Sequence, residues 1–477
     1  MMLAMTPEKT GYLDAIGPQI GIESSAYDYV MTKGIKPARD FMLGGGHTYM
    51  FSGPFFKSSL SLNLNEKATV EAVSANGHTP LIWSADVRSG RTVTCNIGIY
   101  GKVVRGFYAS AFSLLGSATA YPVINSAAFY LDDFPSPVPS GDATYIKRDY
   151  GMSIADFYSK VWWPDLTKLA ERYGIRFTGV MIENYGDDTK DAPVRQKDES
   201  HFSYFGGLLL KQNGEIGYHG YNHQPLVLPN TDYGDEYAYH QWPNRKAVVA
   251  SLRELIAFQK SVLPAATASV YVPPSNILSK EGRQTIGRDV PEIRTIASTY
   301  LPSDSKLPYV QEFGVADDGI VEAPRIVSGG MVGDYMRLAA ESELNMHFVS
   351  THFMHPDDML DPDRGAKEGW AVYRKGLENY LDWLEASAPS IRMQTGTECA
   401  SAVQRFSGLT VKMRESANEW EFDLGNFKDQ AWLLLRANHG TPGRIQGGSM
   451  IRMTGNLYLI KTTDSTVHVE RKAGGAA

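Results

Sequence analysis

The stretch Phe129-Tyr-Leu-Asp-Asp-Phe-Pro135 and the segments that follow it indicate the fold class of this chain. It begins as an apolar strand and ends in two carboxylates. A helix is predicted from Pro164 to Gly174, because proline is favoured in the first turn and glycine after the last. Arg176–Ile182 is predicted to be the next strand. One face of the helix would be apolar, formed by Leu166, Leu169, Ala170 and Tyr173.

The same alternation continues along the chain. A second helix is predicted from Arg245 to about Lys260, followed by a strand at Ala268–Val272. A last helix is predicted at Trp370–Glu385 and a last strand at Ile391–Thr395. This strand–helix–strand order is typical of an α/β barrel.

Asp132 and Asp133 are adjacent at the end of the first predicted strand. Side chains alternate along a strand, so the two carboxylates point in different directions. One can then bind a metal while the other acts as a base on a water beside it. The alternative is a turn, in which the pair only caps the loop before Phe134-Pro-Ser-Pro137.

The segment His219-Gly-Tyr-Asn-His223 follows the short run Gly214–Tyr218. Two imidazoles at this spacing, after a strand that ends in a tight loop, can aim at one point. Neutral imidazole nitrogens are the commonest protein ligands of first-row metals. The alternative is a solvated helix face, on which the same spacing also occurs.

A third motif is the apolar run from Met346 to Pro356, which ends in His355. The alternative here is a buried histidine bonded to backbone, with proline ending the strand. The acidic pairs Asp187-Asp188 and Asp357-Asp358 could be further ligands, but they are expected to be solvated loop acids.

Taken in order, these motifs resemble those of the NodB-homology polysaccharide deacetylases, which are metal-dependent carbohydrate esterases built on a distorted (β/α) barrel. The resemblance implies one divalent metal, with zinc as the first choice and cobalt or nickel as alternatives. Asp133, His219 and His223 would be its ligands. Two histidines and one carboxylate leave positions open for water and substrate, as a catalytic site requires.

The resemblance also implies that Asp132 is the catalytic base and His355 the general acid. His352 is the competitor for the second role. The implied reaction is hydrolysis of N-acetyl groups from an aminosugar-containing exopolysaccharide. One alternative is an inactive carbohydrate-binding protein on a decayed barrel, and another is a different metal-dependent hydrolase.

The sequence departs from the family pattern at Tyr271-Val-Pro-Pro-Ser-Asn276, where Val272 stands at the position of an arginine that orients the catalytic aspartate. Arg325 or Asn276 would have to replace it. The stretches Asp132-Asp-Phe-Pro-Ser-Pro137 and His219-Gly-Tyr-Asn-His223 resemble a divergent branch. That branch includes the galactosaminogalactan deacetylases, which act on exopolysaccharides containing N-acetylgalactosamine.

Charge and composition disfavour some classes of protein. The 477 residues carry a formal net charge of −7, which does not favour nucleic-acid binding and suits a neutral or cationic glycan. The chain has no apolar run of transmembrane length. Cys95 and Cys399 are far apart and are predicted to be buried free thiols.

The start, Met1-Met-Leu-Ala-Met-Thr-Pro7, lacks signal-peptide features. The resembled enzymes are mostly exported, so an extracellular or cell-surface location and a truncated start are expected.

Three regions are predicted. Residues 1–120 form an accessory region with short strands, and residues 121–400 form the barrel. Residues 401–477 alternate with period two between turns, which predicts a small β-sandwich. Within the barrel, the polar and aromatic loops 185–206 and 230–244 are expected over its rim, where loops often contact substrate.

Overall fold

A computed structural model describes residues 2–4, 12–50, 59–88, 90–98, 101–135, 142–229, 233, 238–302 and 307–472. For residues 2–4 and Tyr12 the description covers the backbone alone. Most of the start of the chain, on which the expectation about a leader rests, lies outside these residues. So do Ser136 and Pro137 of the first motif.

The centre of the molecule is a ten-stranded sheet curled into a half-barrel. All its described pairings are parallel except the one between Gly314–Val315 and Val321–Glu322 at one edge. In spatial order from that edge, the strands are Gly314–Val315, Val321–Glu322, Thr295–Ile296, Val270–Tyr271, Glu215–Tyr218, Phe177–Met181, Ser126–Phe134, Val349–Met354 and Val327–Ser328. Met393–Gln394 also pairs with Ser126–Phe134.

The strand Ser126–Phe134 lies at the heart of this sheet. All nine of its residues are buried, because both of its faces are covered. It pairs in register with Phe177–Met181 on one side and with Val349–Met354 on the other. The ends of these three strands therefore lie close together.

Helices pack around the sheet, and the predicted helix–strand alternation is confirmed. Trp163–Tyr173 follows a π-helical segment at Tyr158–Trp162 and ends at Gly174, whose φ is +69°. Its predicted apolar residues are all buried. The other helices of this part are Thr144–Tyr150, Ile154–Phe157, Ser200–Lys211, Arg245–Val262, Lys280–Asp289, Asp334–Met346, Trp370–Ser387 and Gly396–Ser407, with short turns at Pro274–Asn276, Pro356–Met359 and Pro362–Ala366.

The rim segment 185–206 is only partly a loop, because its last residues belong to the helix Ser200–Lys211. The predicted strand Ala268–Val272 is reduced to Val270–Tyr271. The predicted strand Ile391–Thr395 is likewise reduced to Met393–Gln394.

The region before the half-barrel contains a six-stranded sheet and a two-stranded ribbon. The sheet comprises Met2–Ala4, Gly90–Cys95, Pro80–Val87, Ala68–Ser74, Gly34–Pro37 and Tyr49–Met50, and the ribbon comprises Ile22–Val30 and Ser59–Leu64. Short helical segments lie at Tyr12–Ile16, Gly17–Gln19 and Lys102–Val104. The helix Arg105–Ser113 packs closely on Asp334–Met346, since a Cβ at Gly106 would lie 1.8 Å from the Ser342 carbonyl oxygen.

The C-terminal strands form two four-stranded antiparallel sheets. One comprises Thr410–Glu415, Glu419–Gly425, Thr466–Lys472 and Thr441–Gln446, and the other Gly448–Thr454, Leu457–Thr462, Ala431–Ala437 and Ala118–Val123. Residues from both sheets share one hydrophobic cluster, which includes Trp420, Phe422, Leu433 and Ile460. The strand Ala118–Val123 joins this unit from outside residues 401–477, and the predicted division into three domains stays a prediction.

Buried polar contacts join these parts. The Arg436 guanidinium donates to Ser113 Oγ at 2.7 Å, to Asn456 Oδ1 at 2.9 Å and to the Phe41 carbonyl oxygen at 2.5 Å. Cys95 and Cys399 are buried free thiols, as predicted. Among the described residues there is no helix long and apolar enough to cross a membrane.

Candidate functional site

Side chains from the ends of three parallel strands meet at one cavity of about 480 Å³. Asp132 and Asp133 lie at the end of Ser126–Phe134, His219 directly follows Glu215–Tyr218, and His355 directly follows Val349–Met354. These are the carboxyl ends of parallel strands, where side chains from different strands converge and where α/β barrels place their chemistry. His223 lines the same cavity.

Asp133, His219 and His223 form a compact donor cluster. Asp133 Oδ1 lies 3.2 Å from His219 Nε2 and 3.4 Å from His223 Nε2. Ligands of a tetrahedral ion with bonds of about 2.0–2.2 Å lie about 3.3–3.6 Å apart. Both distances are close to the spacing of two ligands of one ion, and the three atoms all lie within 4.8 Å of one another.

The hydrogen bond of His219 decides which nitrogen faces Asp133. Its Nδ1 donates to the Val272 carbonyl oxygen at 2.8 Å, so the neutral ring presents a lone pair on Nε2. That lone pair faces the buried Asp133 Oδ1, which has no hydrogen-bond partner among the described residues. Two facing acceptors need a cation between them, either a proton or a metal ion. The donor set of two nitrogens and one carboxylate oxygen fits a divalent metal such as zinc.

Electrostatics favour the charged carboxylate and the neutral imidazole in this cluster. Burial alone would raise the pKa of Asp133, but the close contact with His219 and the nearby rings of His223 and His355 bring that pKa well below its usual range. Burial lowers the pKa of His223 to about 4, and the Asp133 charge offsets this only in part. Metal ions bind these same protonation states, the deprotonated carboxylate and the neutral imidazole.

The backbone around the cavity has left-handed conformations. The φ angles are +54° at Asp133, +58° at His223, +49° at Ser275 and +58° at Asn276, and all four residues line the cavity. Such conformations are uncommon outside glycine and collect at functional sites, where the surrounding structure holds them.

Asp132 is held by a buried arginine from another part of the sheet. Arg325 Nη1 donates to Asp132 Oδ2 at 2.5 Å, and Nη2 donates to Asn276 Oδ1 at 2.6 Å. The Arg325 guanidinium also lies 4.0 Å from the centre of the Phe353 ring. Both residues considered for the missing arginine thus belong to one network. Arg325 contacts Asp132, and Asn276 orients Arg325.

His355 lies between two carboxylates, with Asp358 at its Nδ1 and Asp132 nearest its Nε2. Its Nδ1 lies 3.3 Å from Asp358 Oδ1, while its Nε2 lies 3.8 Å from Asp132 Oδ2. Asp358 Oδ2 accepts hydrogen bonds from the Tyr373 hydroxyl at 2.5 Å and from the His355 backbone N–H at 3.1 Å. Burial would lower the pKa of His355, but Asp358, Asp132 and Asp133 raise it to about 9. At neutral pH the ring therefore carries a proton.

His352 lies outside the cavity. It is buried, its Nε2 donates to the Gly329 carbonyl oxygen at 2.8 Å, and its ring packs near Phe129 and Tyr380. This is the opposite face of the strand from His355, as alternation along a strand requires.

The expectation that Asp358 is a solvated loop acid is wrong. The residue is buried because Pro356 starts a 3₁₀ turn, Pro356–Met359, which brings position 358 back over His355. The contact between His355 and Asp358 could have been predicted from the order His-Pro-Asp-Asp, because residues three apart in such a turn are neighbours. Tyr373 had no signal in the sequence, because it comes from the distant helix Trp370–Ser387. Asp187 and Asp188 are exposed, as expected.

Comparisons with known proteins give one family and distant structural similarities. No curated protein matches the chain. A solved structure of Agd3, described as a novel carbohydrate deacetylase, is 10% identical, with 96% of this chain and 83% of that chain covered and a TM-score of 0.45. A proposed polysaccharide deacetylase from Mycobacterium smegmatis is 17% identical, with 59% and 91% covered and a TM-score of 0.37. With TM-scores below 0.5, neither similarity establishes an activity of this chain.

A family model described as "uncharacterised protein conserved in bacteria (DUF2194)" matches residues 47–459. This range includes the half-barrel and all the residues of the cavity. The chain therefore belongs to the DUF2194 family of bacterial proteins.

Proposed function

We propose that this protein is a metal-dependent deacetylase that hydrolyses N-acetyl groups of an aminosugar-containing polysaccharide. The observation that carries the proposal is the meeting, in one cavity, of the donor cluster Asp133–His219–His223 with Asp132 and a protonated His355. Hydrolysis of an acetamide needs these groups together, because water is a poor nucleophile and the departing nitrogen a poor leaving group.

Asp133, His219 and His223 would hold the metal, with zinc as the first choice and cobalt or nickel as alternatives. When bound, a divalent ion supplies Lewis acidity, which activates water and polarises the acetamide carbonyl. The hydrogen bond from His219 to Val272 keeps the ligand nitrogen aimed at the cluster before any ion arrives.

Asp132 is proposed as the general base. Arg325 occupies its Oδ2, while Oδ1 has no hydrogen-bond partner among the described residues and is left to accept a proton from water. The guanidinium fixes the plane of the carboxylate through this buried ion pair. Water adds to the acetyl carbonyl as its proton passes to Asp132.

His355 is proposed as the general acid. Its ring is already protonated at neutral pH, and Nε2 is the nitrogen that faces the cavity, since Nδ1 is engaged by Asp358. Transfer of this proton to the amide nitrogen lets the C–N bond break. The products are acetate and the free amine of the sugar.

The cavity offers a place for the acetyl methyl group as well as for polar groups. Phe353, Met331 and Met336 line it beside Asn276, Ser275 and Arg364. A mixed lining of this kind suits a sugar acetamide, whose methyl group is apolar and whose ring carries hydroxyls. An exopolysaccharide as substrate would place the enzyme outside the cell or at its surface.

Acetate release from a panel of N-acetylated aminosugar polymers tests the proposal. Activity should disappear on dialysis against a chelator and return in part with zinc, cobalt or nickel. Activity that persists after the metal has been removed, with metal content measured in the same sample, would contradict the mechanism.

An inactive carbohydrate-binding protein is disfavoured by the state of the site. Decay of a metalloenzyme usually removes a ligand or a proton-transfer group. Here all of these side chains converge, and Arg325 supplies the contact to Asp132 that Val272 cannot.

A further inference from the structure

A second cleft, of about 610 Å³, lies beside the cavity. It is formed by the segment around Asp187–Lys190 and by the segment Tyr239–Pro243, with Pro229 and Tyr233 behind them. Asp187, Asp188 and Lys190 are exposed there. Hydrogen-bond acceptors and a hydrogen-bond donor therefore lie around the side chains of Tyr233 and Tyr239.

One side chain of this cleft has an unused hydrogen-bonding group. Tyr233 is only 7% exposed, and its hydroxyl has no hydrogen-bond partner among the described residues. Its ring packs with Val227 and Ile277, so the side chain is held in place. A buried hydroxyl without a partner costs free energy, which a ligand that bonds to it would recover.

Tyr239 connects the cleft to the metal-ligand cluster. Its ring lies 5.9 Å from the ring of His223 and 6.1 Å from that of Tyr233. Its hydroxyl is 2.6 Å from Ser275 Oγ, and Ser275 lines the catalytic cavity. The cavity and the cleft therefore share one wall.

Hydrogen bonds tie the cleft to the histidine motif. His240 Nδ1 donates to the Asp187 carbonyl oxygen at 2.7 Å, and the Thr189 hydroxyl donates to the Gln241 carbonyl oxygen at 2.8 Å. Asn222, inside the motif, donates to the Asp188 carbonyl oxygen at 2.7 Å. Both walls of the cleft are thus positioned relative to His219 and His223.

We propose that this cleft is a sugar-binding subsite that holds a neighbouring unit of the chain whose acetamide lies in the cavity. The inference rests on the proposed function and deepens it, because it makes the substrate a polymer and not a single aminosugar. The half-buried Tyr239 offers an apolar ring face to a sugar ring. The Tyr233 hydroxyl, Lys190 and the carboxylates of Asp187 and Asp188 offer hydrogen bonds to its hydroxyls.

Binding can be measured without turnover in the full chain carrying Asp132→Asn. The probes are N-acetylglucosamine and N-acetylgalactosamine and their linear oligomers up to the hexamer, titrated by calorimetry. In at least one series, affinity should rise from the monomer to the longer oligomers. Tyr233→Phe, which keeps the ring and its packing, should reduce this gain about three- to tenfold, the effect of one hydrogen bond.

Asp187→Asn is a second variant at an exposed position and should also reduce the gain with chain length. Tyr204→Phe is the matched control, because Tyr204 is an exposed tyrosine on the helix Ser200–Lys211 and does not line the cleft. Affinity that does not rise with length in either series would overturn the proposal. So would equal losses with Tyr233→Phe for the monomer and the oligomers.

Different experimental results would contradict the proposed function and the proposed subsite. A wild-type chain that releases no acetate from any acetylated sugar contradicts the function, while calorimetry still decides whether the cleft binds sugar. Acetate release with the same kcat/KM for a monomer and for its oligomers contradicts the subsite and leaves the function intact.

Discussion

At the scale of single residues, the hydrogen-bond partner of each histidine ring determines which of its two nitrogens faces the cavity. The Val272 carbonyl turns His219 so that Nε2 points at Asp133, and the Asp358 carboxylate turns His355 so that Nε2 points towards Asp132. In the proposed mechanism, an imidazole is thus a metal ligand at His219 and a proton donor at His355. The difference lies in whether its second nitrogen meets a carbonyl or a carboxylate.

The metal ligands can be tested by their effect on metal content. Asp133→Ala and His219→Ala should each lose most of the bound metal, because removing one of three ligands leaves too few donors. Elemental analysis of protein purified without chelator is the measurement. His201→Ala, on the helix Ser200–Lys211, is the matched control and should keep its metal. Retention of metal by both ligand variants would show that the site is assigned wrongly.

His355 should be needed for turnover and not for metal binding. His355→Gln should lose about 10²–10⁴-fold in kcat, the usual contribution of a general acid, while its metal content stays that of the parent. His352→Gln is the control. That residue is buried away from the cavity, so the change should lower stability and leave the turnover of the folded protein nearly unchanged. The reverse pattern would move the acid role to His352.

The pH profile offers a separate test of the same residue. The pKa of His355 is raised to about 9, so kcat/KM should fall as the pH rises through that value and the ring loses its proton. Asp358→Asn removes a negative charge beside the ring, which lowers the pKa of His355 and moves the alkaline limb to lower pH. An alkaline limb that does not move in Asp358→Asn would contradict this pairing.

At the scale of elements, the packing around each strand end determines where the arginine that contacts Asp132 can lie. Val272 is fully buried in a cluster with Ala128, Val180 and Val270, where a guanidinium has no room. Arg325 lies between the strands Val321–Glu322 and Val327–Ser328 and approaches Asp132 from there. The arginine that contacts Asp132 therefore comes from a different element than Val272 does.

Arg325→Met should destabilise the protein by about 3–5 kcal/mol, because it leaves the buried Asp132 carboxylate without its partner. Urea unfolding followed by tryptophan fluorescence is the measurement. Arg325→Lys keeps the charge but loses the fork that also contacts Asn276, so it should recover part of the stability. Arg253→Met breaks an exposed pair with Glu292 and should cost at most about 1 kcal/mol. Equal effects of Arg325→Met and Arg253→Met would exclude a special role for Arg325.

At the scale of the whole molecule, a buried carboxyl group lies where the N-terminal sheet meets the helix Asp334–Met346. Glu341 is fully buried and bonded to the Tyr49 hydroxyl, and Asn345 of the same helix bonds with the Leu43 backbone. Burial raises the pKa of Glu341 to about 8, although the bond with Tyr49 opposes this rise. The folded protein therefore holds a proton that the unfolded chain releases above its ordinary pKa of about 4.3.

Stability should accordingly fall as the pH rises from about 4.3 to 8, by up to about 1.4 kcal/mol per pH unit from this group. Glu341→Gln removes the titration and should flatten the pH dependence of the urea midpoint between pH 5 and pH 8. Glu385→Gln, at an exposed position on the helix Trp370–Ser387, should leave it unchanged. Parallel curves for Glu341→Gln and the parent would show that Glu341 does not titrate in this range.

The alternation of helices and strands and the order of the chemical motifs can be predicted from the amino-acid sequence alone. Local patterns suffice for these, because helix ends, apolar periodicity and strand-ending carboxylates depend on residues close together in the chain. The helix Trp163–Tyr173 and the strand Glu419–Gly425 illustrate this, since their buried residues follow the predicted periodicity.

Which distant groups complete the site follows from the three-dimensional packing. The sequence left Arg325 and Asn276 open as replacements for the missing arginine, and in the structure it is Arg325 that contacts Asp132. Tyr373 reaches Asp358 from a segment without a local signal, and Ala118–Val123 joins a sheet formed otherwise by strands more than 300 residues later. The physical reason is that a buried charge or a sheet edge must find a partner in space, and sequence distance places no limit on where that partner comes from.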